Sequence, residues 1–280
     1  MISRIPGREA AQKKGWLQAQ KWLLLRRISQ LGLLGLFLLG PFAGIWIVKG
    51  SLSASETLGF LPLTDPLIIL QSFIAGHAIA VKALIGTLLV ITLYVLAGGR
   101  AYCSWVCPIN MLTDAAAWLN RRLDLKKSFN LSRSVRYWLL AATLVMAYIT
   151  GTIIWEWINP VTIFQRGLLF GMGLGWIMVG AILFLDTFVV KRGWCGHLCP
   201  VGAFYSLLGF VSILRVKAKQ REQCTDCMDC FAVCPEPQVI RPALKGDEHS
   251  SPMILSNNCI NCGRCIDICP HNVFQFSKRF

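Results

Sequence analysis

Charge-free apolar runs alternate with basic, polar segments along this chain, and the first run sets the scale. Residues 28–48 (ISQLGLLGLFLLGPFAGIWIV) carry no charge and follow a segment, 1–27, that holds Arg4, Arg8, Lys13, Lys14, Lys21, Arg26 and Arg27. A helix of about 20 apolar residues spans a bilayer. The run is longer than the h-region of a signal peptide and lacks a small-residue cleavage site, so it predicts an uncleaved transmembrane helix with Pro41 as a tolerated kink. After a polar loop (49–65), the apolar stretch 66–97 is too long for one crossing. It divides into a re-entrant or surface-lying first part and a spanning helix from about Ile79 to Ala97. RYWLLAATLVMAYITGTIIW (136–155) and GLLFGMGLGWIMVGAILFLDTFVV (167–190) predict a third and a fourth span. MLTDAAAWLNRRLDLKK (111–127) and AFYSLLGFVSIL (203–214) read as amphipathic, interfacial segments, and 215–280 is polar and cysteine-rich.

The pattern repeats internally. TDPLIILQS (64–72) matches INPVTIFQR (158–166), and each precedes a span that ends in Arg, a small residue, an aromatic and CxxxCP. The matching pairs are Pro66/Pro160, Gln71/Gln165, Arg100/Arg192, Tyr102/Trp194, Cys103/Cys195, Cys107/Cys199 and Pro108/Pro200. Two-span units that enter from the same side are related by a pseudo-two-fold axis along the membrane normal.

Composition agrees with this pattern. Of 280 residues, 55% are hydrophobic and 15% charged, with mean hydropathy +0.54, whereas soluble domains carry about 25% charged residues. The net charge of +14 could suggest nucleic acid, but its placement points elsewhere. Lys and Arg crowd the N-terminus, the 98–136 segment and the chain after Val190, while the alternate loops hold only Lys49 and Arg166. That asymmetry predicts four spans with both termini cytoplasmic, a lipid bilayer as the partner and no nucleic acid. All twelve cysteines then face the reducing cytosol, where metal binding is a stronger reading than disulfides.

CTDCMDCFAVCP (224–235) and CINCGRCIDICP (259–270) both follow C-x2-C-x2-C-x3-C-P, the bacterial two-cluster ferredoxin run in which the fourth cysteine serves the other cluster. The expected ligand sets are Cys224, Cys227, Cys230 and Cys269 for one [4Fe-4S] cluster, and Cys259, Cys262, Cys265 and Cys234 for the second. Zinc in two CxxC pairs is the alternative. A long insertion between the motifs, 235–258, predicts a loop at one edge. The membrane pairs CSWVCP and CGHLCP repeat only the second half of the signature, so one pair alone completes no centre. Cys103, Cys107, Cys195 and Cys199 together form a candidate third iron–sulfur or other metal centre, a redox-active dithiol set, or structural thiols.

Ionisable groups in apolar segments are functional candidates by default. Lys82 fits a snorkelling side chain and Asp186 an interfacial one. Asp65, Gln71, His77, Glu156 and Gln165 all fall toward the outer leaflet, in Pro-broken segments. Oxidation of a quinol requires hydrogen-bonding groups for two hydroxyls and a base, which this set could supply, with Glu156 or His77 as proton acceptor. Loop capping is an equal reading for Asp65 and the glutamines.

GREA near the N-terminus, LTDPL, CSWVCP, GTIIWEWINPV, GWCGHLCPVGA and CMDCFAVCPEP resemble, across essentially the full length, the NapH family of membrane quinol-dehydrogenase subunits of periplasmic nitrate reductase systems. The resemblance implies an iron–sulfur subunit of the bacterial inner membrane that takes electrons from the quinol pool. It further implies quinol dehydrogenase activity within a complex and two partners, the iron–sulfur subunit NapG and the multihaem cytochrome NapC. An iron–sulfur membrane protein for copper handling or respiratory metalloenzyme assembly is the alternative. The expected architecture is an α-helical membrane protein with four transmembrane helices as two parallel two-helix repeats, plus a C-terminal bacterial two-[4Fe-4S] ferredoxin-like α+β domain. Its expected segments are a basic cytoplasmic N-terminus (1–27), a first membrane repeat (28–110), an amphipathic loop (111–135), a second repeat (136–202), an interfacial helix and linker (203–219), and the ferredoxin-like domain (220–280).

Overall fold

A computed structural model of the chain describes residues 6–125, 129, 131–171, 173, 175–246 and 250–280. Arg4, Lys126, Lys127 and two positions of the fourth apolar run, Met172 and Leu174, lie outside the described residues. The protein is mostly helical and divides into two compact units. One comprises Met1–Ser29, Tyr94–Val106 and Tyr205–Phe280; the second comprises Gln30–Leu93 and Cys107–Phe204.

In the first unit, Leu214–Ala218 pairs antiparallel with Phe274–Lys278, in the register Val216 opposite Phe276. Val216 and Ala218 bury their side chains on one face of the strand, and Arg215 on the other face is buried as well. Each cysteine triplet runs into a short helix, Asp229–Val233 or Arg264–Ile268. The insertion differs from the edge loop expected of it. It folds into a 3-10 turn, Pro237–Val239, and a helix, Ile240–Lys245, and supplies Val239, Ile240, Ala243, Leu244 and Ile254 to the core. The apolar spacing 239, 240, 243, 244 is that of one helical face, so the segment builds core. The basic N-terminal segment also belongs here. The N–H groups of Trp22 and Leu23 donate to the Asp267 carboxylate at 3.1 and 2.9 Å, and the Gly7 N–H donates to Asp229 at 2.9 Å.

In the second unit, the polar loop is a three-stranded antiparallel sheet, Val48–Gly50, Ala54–Thr57 and Leu61–Thr64. The helices Pro66–Ile74 and Pro160–Phe170 begin alike. Asp65 Oδ1 accepts from the Leu67 N–H at 2.8 Å and Asn159 Oδ1 from the Val161 N–H at 3.0 Å, with proline in the first turn of each. An Asx N-cap followed by Pro is a strong helix start, and its duplication carries the sequence repeat into structure. The apolar stretch 66–97 breaks at 75–80, before the helix Val81–Ala97.

Among the described residues only Lys21–Ala43 is both long and apolar enough to cross a membrane. Val81–Ala97, Val135–Thr150 and Gly175–Val189 are apolar but shorter. At 1.5 Å per residue, helices of 16 and 17 residues reach about 25 Å, short of a hydrocarbon core of about 30 Å. Gly98 and Gly151, both with positive φ, end two of them. These helices expose large apolar side chains, among them Leu88 and Leu93, Trp138 and Ile149, and Trp176 and Ile177.

Candidate metal centres

Each cysteine triplet is coiled by two residues in the left-handed region, Asp226 (φ 54°) and Met228 (φ 63°) in one, Asn261 (φ 47°) and Gly263 (φ 71°) in the other. They occupy identical motif positions, so the two loops share one backbone form. The local contacts match as well: the Cys224 thiol donates to Asp226 Oδ1 at 3.6 Å and the Cys259 thiol to Asn261 Oδ1 at 3.5 Å. Such turns curl three side chains onto one concave surface.

Two cavities result. Cys224, Cys227, Cys230 and Cys269 line the first; Cys234, Cys259, Cys262 and Cys265 line the second. Burial pushes the Cys230 thiol up to about 12 and the Cys259 thiol up to about 11, and raises Cys234 and Cys265 as well, with neighbouring thiols adding to the effect. Thiols this crowded do not ionise together without a compensating cation. Among the described residues, no three His, Cys, Asp or Glu side chains converge closely enough to hold a single metal ion. Quartets that surround a cavity fit a [4Fe-4S] cluster, held by four thiolates, better than a lone zinc. When bound, such a cluster supplies one-electron transfer.

The first CxxxCP turn, the helix Ala101–Trp105 that carries Cys103, belongs to the unit with these cavities. Ser104 Oγ donates to the Ile260 carbonyl at 2.7 Å and Trp105 Nε1 to the Asn261 carbonyl at 3.1 Å. Asn261 Nδ2 in turn donates to the carbonyls of Leu214 and Ala97 at 2.7 and 3.1 Å. The approach is close enough that a Cβ on Gly99 would lie 2.2 Å from the Gly209 nitrogen. Arg100 Nη1 donates to Glu236 Oε1 at 3.0 Å and to the Asn258 carbonyl at 3.1 Å. Burial alone would lower the Arg100 pKa, but Cys103 and Glu236 outweigh it and hold the guanidinium charged. Tyr102 stacks on Tyr205 at 5.0 Å between centroids, with Tyr94 edge-on at 5.1 Å from Tyr205.

Cys107, Cys195 and Cys199 belong to the second unit. Cys195 sits in a π-helical turn, Trp194–Leu198, a form common at functional sites. Asp186 Oδ1 accepts from the Trp194 N–H at 2.8 Å, Arg136 Nη1 donates to the Gly196 carbonyl at 3.3 Å, and Arg192 pairs with Asp114 at 2.5 Å. The Cys195 thiol reaches Thr113 Oγ1 at 3.8 Å, and the Gly202 N–H donates to Cys199 Sγ at 3.4 Å. Cys107 and Trp194 pack on the same apolar cluster of Ile109, Val161 and Ile182.

The polar candidates for a quinol site separate in the same unit. Asp65 caps a helix. His77 is exposed, its N–H donating to the Ser72 carbonyl at 3.0 Å. Gln71, Glu156 and Gln165 are linked through Trp155, Thr162, Ser53 and Leu52, partly by hydrogen bonds and partly along the backbone at 155–156 and 52–53. Gln71 Oε1 accepts from the Trp155 N–H at 3.4 Å, and Gln165 Oε1 from the Leu52 N–H at 2.9 Å. Ser53 touches Thr162 Oγ1 at 3.3 Å, and Thr162 donates to Glu156 Oε1 at 3.0 Å. Each glutamine thus pins a loop of the opposite repeat. Gln71 Nε2, Gln165 Nε2, Trp155 Nε1 and Glu156 Oε2 are buried with no partner among the described residues.

Sequence reading missed the buried arginines. Arg26, Arg100, Arg136 and Arg215 are the largest fully buried side chains. For Arg100, its recurrence as Arg192 ahead of the second CxxxCP was the available signal.

Residues 79–126 and 172–219 match the family described as a 4Fe-4S binding domain, and 222–276 the family described as a 4Fe-4S dicluster domain. The chain is 49% identical to the ferredoxin-type protein NapH of Escherichia coli strain K12, over 99% of this chain and 96% of that protein. It is 54% identical to the methylamine utilization ferredoxin-type protein MauN of Paracoccus denitrificans strain Pd 1222, over 96% and 95%. To MauN of Methylorubrum extorquens strain AM1 it is 51% identical, over 97% and 94%. No solved structure matches the chain.

Proposed function

The chain belongs to the NapH/MauN family of ferredoxin-type iron–sulfur electron-transfer proteins, and from this premise we propose that it is a multi-pass protein of the bacterial cytoplasmic membrane that takes electrons from quinol and passes them to partner redox proteins of a periplasmic enzyme. The four apolar helices support the membrane reading: they expose Leu, Ile and Trp while burying Gln30, Thr87, Arg136 and Thr187, the reverse of a soluble helix. The two ligand sets proposed for the clusters are Cys224, Cys227, Cys230 with Cys269, and Cys259, Cys262, Cys265 with Cys234.

The observation that carries the quinol reading is the chain from Gln71 to Gln165. It leaves three buried donors and one carboxylate oxygen unsatisfied, and such groups call for an occupant. A quinol offers two hydroxyls to the Gln71, Gln165 and Trp155 donors and to the Glu156 carboxylate, which would take up a proton as the quinol is oxidised. The test is EPR of anaerobically purified protein after addition of quinol. Cluster signals that grow with quinol, and grow more slowly in Glu156→Gln at equal iron content, are expected. Clusters reducible by dithionite but indifferent to quinol would overturn the reading.

A third metal centre on Cys103, Cys107, Cys195 and Cys199 is the matching proposal for the CxxxCP pairs. Its support is that both matched 4Fe-4S binding segments contain one pair. Iron in excess of two clusters, lowered by Cys103→Ser and by Cys195→Ser, is the expected result; iron unchanged in both rejects it.

Two electron destinations follow from the relatives. The NapH likeness supports periplasmic nitrate reduction with NapG and NapC as partners, and the MauN likeness supports methylamine utilization. Deleting the gene and measuring nitrate-dependent and methylamine-dependent respiration distinguishes them.

A further inference from the structure

The two cluster loops share a backbone but not a charge. Where the first carries Asp226 and Asp229, the second carries Asn261 and Arg264 at the same motif positions. Burial widens the difference. Arg264 lines the second cavity and is 7% exposed; Arg100 and Arg215 are 2% exposed. Arg215 donates to the carbonyls of Ser256 (2.9 Å) and Gly209, and Arg100 to that of Asn258. Two guanidinium groups thus grip the segment that leads into Cys259. Glu236 pairs with Arg100 at 3.0 Å. Asp267 lies midway between Cys265 and Cys269 in sequence, and Arg26 opposes its charge.

Around the first cavity the cations are weaker. Lys245 and Asp226 pair at 2.8 Å but are 38% and 65% exposed, so solvent screens them. Asp229 accepts the Gly7 N–H at 2.9 Å, and Lys14, half-buried beside Ile266, is a cation whose charge acts on a ligand of this set, Cys269. A reduced cluster carries one more negative charge than an oxidised one. Buried cations stabilise that charge strongly and exposed pairs hardly at all, and cluster potential follows local charge and solvent exposure.

We propose that Arg100, Arg215 and Arg264 hold the cluster of Cys234, Cys259, Cys262 and Cys265 at the higher reduction potential of the two, so that a single electron entering this domain comes to rest there. The step adds one electron and breaks no bond. This resting place adjoins the first CxxxCP turn, whose Ser104 and Trp105 donate to the Ile260 and Asn261 carbonyls. The proposal rests on the two-cluster assignment but on neither quinol nor nitrate.

The test is a mediated redox titration by EPR of the anaerobically purified full chain, with dithionite as reductant. Two separate midpoints are expected. Arg264→Gln and Arg215→Gln should each lower the upper one by about a tenfold change in the reduced-to-oxidised ratio, about 59 mV for one electron. Arg264→Lys should leave it in place, and Asp229→Asn should raise only the lower one. Coincident midpoints in the wild-type protein, an arginine variant that moves the lower step or neither, or Asp229→Asn moving the upper step would overturn the proposal. If the arginine variants fail to load clusters, the wild-type and Asp229→Asn titrations decide it.

Discussion

Arg100 and Glu236 stand 136 residues apart in the chain and form an ion pair 3.0 Å long in which each side chain is 2% exposed. The repeat mate of Arg100, Arg192, pairs instead with Asp114, at 12% and 14% exposure. A buried pair is costly to break because the survivor keeps its charge in a poor solvent. Glu236→Gln should therefore cost about 3–5 kcal/mol in denaturation of the loaded protein in detergent. Replacing both partners, Arg100→Met with Glu236→Leu, should cost less than Glu236→Gln alone. A double variant at least as damaged as the single would show that the pair does more than balance charge.

Gly99 leads into the same turn. A Cβ there would meet the Gly209 backbone at 2.2 and 2.3 Å and the Tyr205 carbonyl oxygen at 2.7 Å. All three are backbone atoms, so no side chain can swing away. Gly99→Ala should cost about 1–3 kcal/mol or more and lower the yield of cluster-loaded protein. Gly35→Ala, with nothing within 4 Å of the added methyl, should be neutral or stabilise its helix by about 0.5–1 kcal/mol. Equal thermal stability of the two variants would contradict the close approach.

The parts of this protein that were legible in sequence are those whose chemistry is local. Cysteine spacing announces the two cysteine-lined cavities because three thiols in seven residues need only one turn geometry. Asp65-Pro66 and Asn159-Pro160 announce helix starts because the cap lies two residues from its donor. What stayed hidden depends on distant partners. Arg100 reads as one more basic residue behind a span until Glu236 and Asn258 close on it. The strand Leu214–Ala218 reads as part of an interfacial helix and linker, 203–219, because its partner Phe274–Lys278 lies some 60 residues on. The insertion 235–258 reads as a loop because its polar residues and four prolines mask a four-residue apolar face. Gln71 and Gln165 were visible as a pair, but the exchange of loops between repeats was not.

The fourth cysteine of each ferredoxin motif lines the cavity of the other motif: Cys269 with Cys224, Cys227 and Cys230, and Cys234 with Cys259, Cys262 and Cys265. Crossed ligation has a signature in double variants. Cys230→Ser and Cys269→Ser combined should lose the same iron as either alone, since both disable one cluster. Cys230→Ser and Cys234→Ser combined should lose about twice as much, although these two cysteines sit in one motif. Iron and acid-labile sulfide analysis reads the result, and the opposite pairing pattern would mean that each motif closes its own cluster.

The amide of Gln71 has two ends with different work, and substitution can separate them. Its oxygen accepts the Trp155 N–H at 3.4 Å, while its nitrogen is buried without a partner. Gln71→Met removes both ends and strands a buried backbone N–H, at about 1–3 kcal/mol. Gln71→Glu keeps an acceptor for Trp155 and removes the amide donor. If the side chain only pins the loop of residues 151–158, Gln71→Glu should resemble the wild type in stability and in quinol-dependent cluster reduction. If the nitrogen serves a bound quinol, as proposed, Gln71→Glu should hold its iron content and stability near normal while the rate of cluster reduction by quinol falls by about tenfold, the weight of one hydrogen bond of about 1.4 kcal/mol. Gln165, whose oxygen holds Leu52 at 2.9 Å and whose nitrogen is likewise unpartnered, should respond in the same way to Gln165→Glu. A loss of rate in one glutamine variant but not the other would place the quinol against a single repeat and leave the remaining glutamine as a loop pin.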